Sequence, residues 1–246
     1  MVHERINPYT DNDIMKLSRL AHIKRYQKAS EIIGSRKKVI DAGCGVGYGS
    51  SILFGGGNKV IGVDSDIESV CEAINSYGVV DGVKRDNLDF FHINLNNGDF
   101  LTHSPVDAIT CFEVLEHVKD PLFVLNNFRN SLAKSGKLLI SVPNANNAAN
   151  NNDYHINDFS PESLEEVLNE GGFVVNDKLG QYPVIGFLAG AINKLSGYNS
   201  NTNKKSGLIP KVVDSIPFLP EIFSNFYSSN LAVSTSRSIY FVAEKK

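Results

Sequence analysis

Glycines alternate along residues 39–50, VIDAGCGVGYGS, directly after a short apolar run that ends in an acid. The first three glycines are Gly43, Gly45 and Gly47, and the acid is Asp41. Glycine permits positive φ and lets the main chain touch a ligand without an intervening Cβ. In doubly wound sheets the first strand-to-helix loop lies where ligands bind. This stretch therefore predicts a ligand-binding loop.

Two ligand classes compete for this loop. A dinucleotide site requires G-x-G-x-x-G, but counting from Gly43 the third glycine falls on Tyr48, and the two later starting points also fail. A carboxylate at Asp41 would also repel a pyrophosphate. The loop favours a cationic ligand such as S-adenosylmethionine, whose ammonium group Asp41 would hold directly or through water. A nicotinamide oxidoreductase and a non-catalytic binding protein are the less favoured alternatives.

The surrounding elements predict how this loop is positioned. Five short apolar runs alternate with connections that are mostly of helix length: KKVIDAG, KVIGVD, DFFHINL, VDAITCF and KLLISVP. Such runs indicate parallel strands, since a parallel crossover needs about a dozen residues. FVVNDKLG predicts a sixth strand, and SIYFVAEKK a seventh that pairs antiparallel beside it. We therefore expect a Rossmann-like, doubly wound, seven-stranded α/β sheet, mostly parallel with an antiparallel last strand, in three α/β/α layers.

The chain of 246 residues is predicted to be a single domain, residues 1–246. Its leading helical segment, residues 1–35, contains a helix from Asp13 to Ile33. A later helix has Ser160 as its N-cap and stops at Gly171. Residues 181–234 hold two apolar patches joined by a polar stretch, which predicts an insertion that caps the sheet edge.

Charge and composition exclude several classes of protein. The chain has 24 lysines and arginines against 27 acids, a net charge of −3, and no basic stripe, which argues against nucleic acid as a partner. No run approaches the roughly eighteen apolar residues of a membrane span, and residues 1–13 lack the apolar core of a signal peptide. Three cysteines without zinc-ligand spacing predict reduced core thiols, no metal site and a cytoplasmic location.

Asp41-Ala42-Gly43-Cys44-Gly45-Val46-Gly47 resembles the first motif of the class I S-adenosylmethionine-dependent methyltransferases, acid-x-Gly-x-Gly-x-Gly. The resemblance covers residues 36–145 by element order as well as by motif. It implies S-adenosylmethionine as the cofactor and S-adenosylhomocysteine as its product. The loop residues that it places at the cofactor are Asp41, Gly43, Cys44, Gly45 and Gly47.

Further cofactor contacts follow at the next two strands. Asp64 ends KVIGVD, about twenty residues after the first glycine, where an acid can bind both ribose hydroxyls. Dinucleotide enzymes share that feature. The resemblance includes the adjacent Ser65 in the same site. It also matches Asn94 to a position that usually holds an aspartate contacting the adenine amino group, with Leu95 packing nearby.

VDAITCFEVLEHVKDP, residues 106–121, resembles the fourth-strand motif of the same family. The resemblance implies that Phe112 and Glu113 lie beside the methionine moiety and that His117 lies at the start of the following helix. Glu113 and His117 are candidate catalytic groups. The alternative is that they shape the loop and cap the helix.

Three stretches are similar to a methyltransferase subgroup found with surface-polysaccharide and glycosyl-transfer systems: HERINP, HIKRY and HINDFSPESLEEVLNEGGF. In that subgroup an arginine or tyrosine of the leading helix reaches the methionine carboxylate, a role that passes to Arg25 and Tyr26. The implied reaction is O-methylation of a sugar or surface-glycan acceptor. A small aromatic or quinone-like metabolite is the alternative acceptor, because EVLEHV is equally common among its methyltransferases.

A hydroxyl acceptor requires a base, and His155 is the first candidate because it is the only histidine after the fifth strand. The alternative is a loop histidine bonded to the backbone. Three roles stay open for the insertion at 181–234: a lid over the acceptor, a homodimer face, or a surface that touches a lipid-linked substrate.

Overall fold

The computed structural model describes Pro8 and residues 16–98, 104–147, 154–181 and 224–246. The helices in these ranges are α1 (Lys16–Ile33), α2 (Tyr48–Gly55), α3 (Ile67–Ala73), α4 (Pro121–Ser131), α5 (Pro161–Glu170) and α6 (Asn230–Thr235). A π-helical turn, Ile74–Gly78, continues α3, and 3₁₀ turns occupy Leu95–Asn97 and Leu115–His117. None of these described helices is long and apolar enough to cross a membrane.

The strands are β1 (Lys38–Ala42), β2 (Lys59–Asp64), β3 (Val79–Val80), β4 (Val83–Lys84), β5 (Leu88–His92), β6 (Val106–Phe112), β7 (Leu132–Pro143), β8 (Phe173–Gln181), β9 (Phe226–Tyr227) and β10 (Ser238–Lys245). The main sheet has the order β5-β2-β1-β6-β7-β10-β8-β9, and β3 and β4 form a separate hairpin. The first five strands of the main sheet are parallel, and β10 pairs antiparallel with both β7 and β8. The Rossmann-like fold and the antiparallel last strand are confirmed.

The predicted number of strands is wrong by one, because the main sheet has eight strands within the described ranges. The additional strand is β9, which pairs antiparallel with the end of β8 through Gly180↔Tyr227 and Gln181↔Phe226. It belongs to the segment predicted as an insertion, so the end of that segment extends the sheet edge. Residues 182–223, the larger part of the predicted insertion, lie outside the described residues, and its described end also contains most of α6.

Helix ends follow the local sequence. Ser160 caps α5 in a reciprocal capping box with Ser163, and Gly171 follows its last turn, as predicted. The predicted leading helix ends at Ile33 as expected, while its predicted start and the caps before it lie outside the described residues. Asp66 caps α3 by accepting a hydrogen bond from Ser69 N at 2.7 Å.

Two hydrophobic cores cover opposite faces of the sheet. One packs α4 and α5 on the sheet and contains Leu125, Phe128 and Phe173. The other packs α1, α2 and α3 and includes Tyr26 and Leu53. The predicted three-layer arrangement is confirmed, and it leaves the carboxyl ends of the parallel strands as the edge where side chains for a ligand can gather.

Candidate active site

The loop between β1 and α2 is tied to the neighbouring strand. Gly43 N and Cys44 N both donate to Val63 O, at 2.8 and 3.0 Å, and Gly47 N donates to Cys44 O at 3.0 Å. These bonds fix the turn at the end of β1 directly beside the end of β2. The loop is therefore held in place by the backbone of the sheet.

Two glycines of this loop serve different purposes. A Cβ on Gly43 would lie 2.1 Å from Val114 Cγ2, so glycine here lets the turn after β6 contact the loop. Gly45 has a φ of 51°, and no heavy atom lies within 4 Å of a Cβ added there. Gly45 is thus the position at which the loop backbone faces open space and can be approached closely by a ligand.

Asp64 is oriented by the same loop. Its Oδ2 accepts a hydrogen bond from Gly45 N at 2.8 Å, and its Oδ1 accepts one from Asp66 N at 2.9 Å. The residue is half-buried at the end of β2. The carbonyl of the adjacent Ser65 lies 3.0 Å from His92 Nε2. The half-buried carboxylate therefore lies beside the open glycine.

Asp41 has a different environment, because it has no exposed surface. Its carboxylate accepts hydrogen bonds from Tyr26 Oη at 3.1 Å, Ser50 Oγ at 2.7 Å and Thr110 Oγ1 at 2.8 Å. Burial raises the pKa of Asp41 to about 6, and these three hydrogen bonds oppose the rise. The carboxylate therefore faces interior hydroxyl groups, and its contact with a ligand ammonium stays a prediction. Ser50 and Thr110 lie within the two quoted motif stretches, but no sequence signal marks their hydroxyl groups as partners of Asp41.

Tyr26 brings α1 onto this region. Its ring packs on Gly49, where an added Cβ would lie 2.0 Å from the ring, and it meets Phe112 and Tyr48 edge-on at centroid distances of 5.0 and 5.4 Å. Burial, followed by the charge of Asp41, raises the pKa of the Tyr26 hydroxyl well above its usual value. The predicted contact of Tyr26 with the methionine carboxylate stays a prediction.

Arg25 is buried and contacts three protein side chains. Its Nη1 lies 3.1 Å from Glu113 Oε1, its Nε donates to Gln181 Oε1 at 3.0 Å, and its Nη2 donates to Ser238 Oγ at 3.0 Å. Glu113 itself has a φ of 56° and also accepts a bond from Ser141 Oγ at 2.9 Å. Arg25 thus orients Glu113, and its predicted contact with the cofactor stays a prediction.

The three cysteines differ in their exposure. Cys44 and Cys111 are buried, and burial raises the pKa of both thiols well above the usual value. Cys71 is exposed on α3, so the prediction of a core thiol is wrong there.

Asn94 lies at the turn that follows β5. Its Oδ1 accepts a hydrogen bond from Asn96 N at 3.0 Å and caps the 3₁₀ turn that begins at the buried Leu95. The predicted adenine contact of Asn94 stays a prediction.

The structure brings together two histidines that are far apart in the sequence. The ring centroids of His117 and His155 lie 4.9 Å apart, in an edge-on arrangement. The backbone N–H groups of Ile156 and Asn157 donate to Glu116 O at 2.8 and 3.0 Å. The loop that carries His155 is therefore fastened to the 3₁₀ turn after β6. Glu116, which the sequence did not single out, is buried within this turn.

These features define a class of protein: a doubly wound sheet with a glycine loop after its first strand and an acid at the end of its second. Residues 17–178 match the Methyltransferase domain family, and the chain belongs to that family. Its domain is that of an S-adenosylmethionine-dependent methyltransferase. The residues fit this cofactor, because the open backbone at Gly45 leaves room for it and Asp64 offers a carboxylate beside that opening. When bound, S-adenosylmethionine supplies a methyl group from its sulfonium.

Two curated relatives of this chain are named as methyltransferases. A probable S-adenosylmethionine-dependent methyltransferase of Mycolicibacterium smegmatis is 31% identical over 163 residues, 64% of this chain and 59% of the relative. A ubiquinone biosynthesis O-methyltransferase of Psychrobacter arcticus is 32% identical over 146 residues, 59% of this chain and 56% of the relative. The alignments thus span a little over half of these relatives.

Solved structures share the fold. Magnesium protoporphyrin IX methyltransferase from Synechocystis PCC 6803, with bound S-adenosylhomocysteine, superposes with a TM-score of 0.60 at 15% identity. The superposition covers 97% of this chain and 91% of that structure. At this identity the likeness concerns the fold alone.

Proposed function

We propose that this chain transfers a methyl group from S-adenosylmethionine to a hydroxyl oxygen, with a sugar or surface-glycan acceptor as the first candidate. The observation that carries the proposal is that His117, on the turn after β6, lies beside His155, on the loop fastened to that turn. Through Val114, this turn contacts the glycine loop at Gly43. One histidine thus lies on the turn that contacts the glycine loop, and the other lies on the segment bound to that turn.

A hydroxyl acceptor must lose its proton as its oxygen attacks the methyl group. His155 is our first candidate for the base, and the adjacent His117 is the second. Glu113 is the third, although Arg25 and Ser141 already engage its carboxylate. The remaining contribution of the protein is alignment of the acceptor oxygen with the methyl group in a site that excludes water.

A small phenolic or quinone-like acceptor is the second candidate. The observation that favours it is the relative named as a ubiquinone biosynthesis O-methyltransferase. A phenolic hydroxyl has a pKa near 10, as in tyrosine, and is more acidic than a sugar hydroxyl, so it requires less of a base. The two acceptor classes therefore predict different sensitivity to loss of His155.

The test measures S-adenosylhomocysteine release from purified protein offered S-adenosylmethionine with either glycosides and glycan fragments or catechols and hydroquinones. With a glycan acceptor, we expect His155→Ala to lower kcat by about 10²- to 10⁴-fold. His92→Ala is the matched histidine control, because His92 lies on β5, outside the pair. Turnover of phenols alone would select the second acceptor. Absence of S-adenosylhomocysteine binding by titration calorimetry would overturn the proposed function.

The remaining predictions on partners concern residues 181–234. A dimer face, a lid and contact with a lipid-linked substrate all fall mainly on residues 182–223, outside the described residues. These roles stay predictions, as does a cytoplasmic location.

A further inference from the structure

We propose that Glu116, His117 and His155 form a binding site for a divalent transition-metal ion of the zinc type. A carboxylate oxygen of Glu116 and one ring nitrogen of each histidine all lie within 4.8 Å of one another. Ligands at about 2.0–2.2 Å from one tetrahedral Zn²⁺ are separated by roughly 3.3 Å. Side-chain rotations that close these separations from at most 4.8 Å to about 3.3 Å would bring the three atoms onto a common ion.

The hydrogen bonding of His117 suits a metal ligand. Its Nδ1 lies 3.0 Å from Tyr154 O, and because a carbonyl can only accept, Nδ1 carries the proton. The lone pair is then on Nε2, which lies 3.9 Å from Glu116 Oε1. Metal-binding histidines commonly donate their second ring N–H to a backbone carbonyl in this way, which fixes the tautomer and the ring orientation.

The backbone prepares the site before any ion binds. The loop from Tyr154 to Asn157 is held by the two N–H groups that donate to Glu116 O and by Asn157 Nδ2, which donates to Val118 O at 2.7 Å. The elements that carry the three ligands are therefore bound directly to each other. Glu116 is only 2% exposed, so its carboxylate is shielded from bulk water at the point where the ion would bind.

The donor set indicates both the ion and its use. Two histidines and one carboxylate make up the three protein ligands of many catalytic zinc sites, which leave a further position open. An ion there lowers the pKa of a bound hydroxyl or water. Ion binding stands independently of the proposed function, whereas assistance to a hydroxyl acceptor rests on it. In the metal-loaded protein, His117 and His155 would serve as ligands in place of a free base.

The test begins with full-length protein stripped by a chelator and titrated calorimetrically with Zn²⁺, then with Co²⁺ to observe its ligand-field absorption. We expect one ion per chain, with affinity reduced at least about 10-fold in each of Glu116→Gln, His117→Ala and His155→Ala. His92→Ala should bind as the unaltered protein does. Circular dichroism and S-adenosylhomocysteine binding verify that each variant is folded. Lack of stoichiometric binding, or equal binding by folded His155→Ala, would overturn the site.

Separate readouts distinguish this site from the proposed function. Binding of S-adenosylhomocysteine without binding of Zn²⁺ overturns the metal site and leaves the proposed function standing. Binding of Zn²⁺ without S-adenosylhomocysteine supports the metal site and overturns the proposed function. Equal methyl transfer by zinc-free and zinc-loaded enzyme would overturn the assistance of the ion to the acceptor.

Discussion

Asp41 and Asp64 stand near the carboxyl ends of neighbouring parallel strands, and their side chains are the same. Asp41 is fully buried and accepts three side-chain hydroxyl groups from α1, α2 and β6. Asp64 is half-buried and accepts two backbone N–H groups beside the open Gly45. Two acids at similar positions along the sheet therefore differ in their environments, because burial and the hydrogen-bond donors around each carboxylate differ.

The largest expected effect concerns the pH dependence of stability. The pKa of Asp41 is about 6 in the folded chain against its ordinary value of 3.8. Well below pH 3.8 the carboxyl is protonated in both the folded and the unfolded chain. As pH rises from 3.8 to about 6, only the unfolded chain loses the proton, so the free energy of unfolding falls. Above about pH 6 no further change follows from Asp41. One pKa unit corresponds to about 1.36 kcal/mol, so the rise in the pKa of Asp41 lowers the free energy of unfolding by about 3 kcal/mol between low pH and neutral pH.

The measurement compares Asp41→Asn with the unaltered chain by denaturant unfolding from pH 4 to pH 7. The free energy of unfolding of the variant, relative to the unaltered chain, should rise by about 2 kcal/mol across this interval, because part of the full change lies below pH 4. Asp107→Asn is the control for loss of a carboxylate, because Asp107 lies at the opposite end of the sheet. A pH-independent difference would contradict the role assigned to Asp41.

The second prediction concerns ligand affinity. Asp64→Ala removes the carboxylate beside the open loop, and we expect affinity for S-adenosylhomocysteine to fall about 10- to 100-fold, since hydrogen bonds to charged groups contribute about 1.5–3 kcal/mol. Titration calorimetry measures the change, and Asp107→Ala provides the control. Unchanged affinity in folded Asp64→Ala would remove the distinction between the two aspartates.

The third prediction uses two glycines with positive φ and open surroundings, Gly45 and Gly34. Alanine at either position should cost about 1–2 kcal/mol of stability, because L-residues resist the left-handed region. Only Gly45→Ala should also weaken S-adenosylhomocysteine binding, because its Cβ would occupy the opening beside Asp64. Thermal unfolding and calorimetry separate the two effects. Equal ligand affinity in both variants would show that the opening at Gly45 is not used.

The smallest effect is expected from Tyr26→Phe, which removes one of the three hydroxyl donors to Asp41. Stability should fall by about 1 kcal/mol, and the pKa of Asp41 should rise further, because the hydrogen bond from Tyr26 lowers it. Ligand affinity should fall less than in Asp64→Ala. A larger loss of affinity with little loss of stability would instead favour the predicted contact of Tyr26 with the methionine carboxylate.

Local sequence was sufficient for much of the fold. The glycine loop, the acid at the end of β2 and the capping box of α5 depend on residues close together in the chain, and the structure contains each of them. Apolar runs with helix-length connections specify a parallel sheet because few other arrangements satisfy them. The short β9 was missed because a two-residue strand has no periodicity of its own.

Local spacing and the order of elements were sufficient to predict the family, the fold and a glycine loop after β1 as the ligand site. Three arrangements depend instead on the folded chain: hydroxyl groups enclose Asp41, Arg25 pairs with Glu113, and the side chains of Glu116, His117 and His155 come together. These arrangements join distant segments whose contacts arise when α1 packs on the sheet and the loop at Tyr154 fastens to the turn after β6. No spacing along the chain encodes such contacts, since packing alone sets the distances.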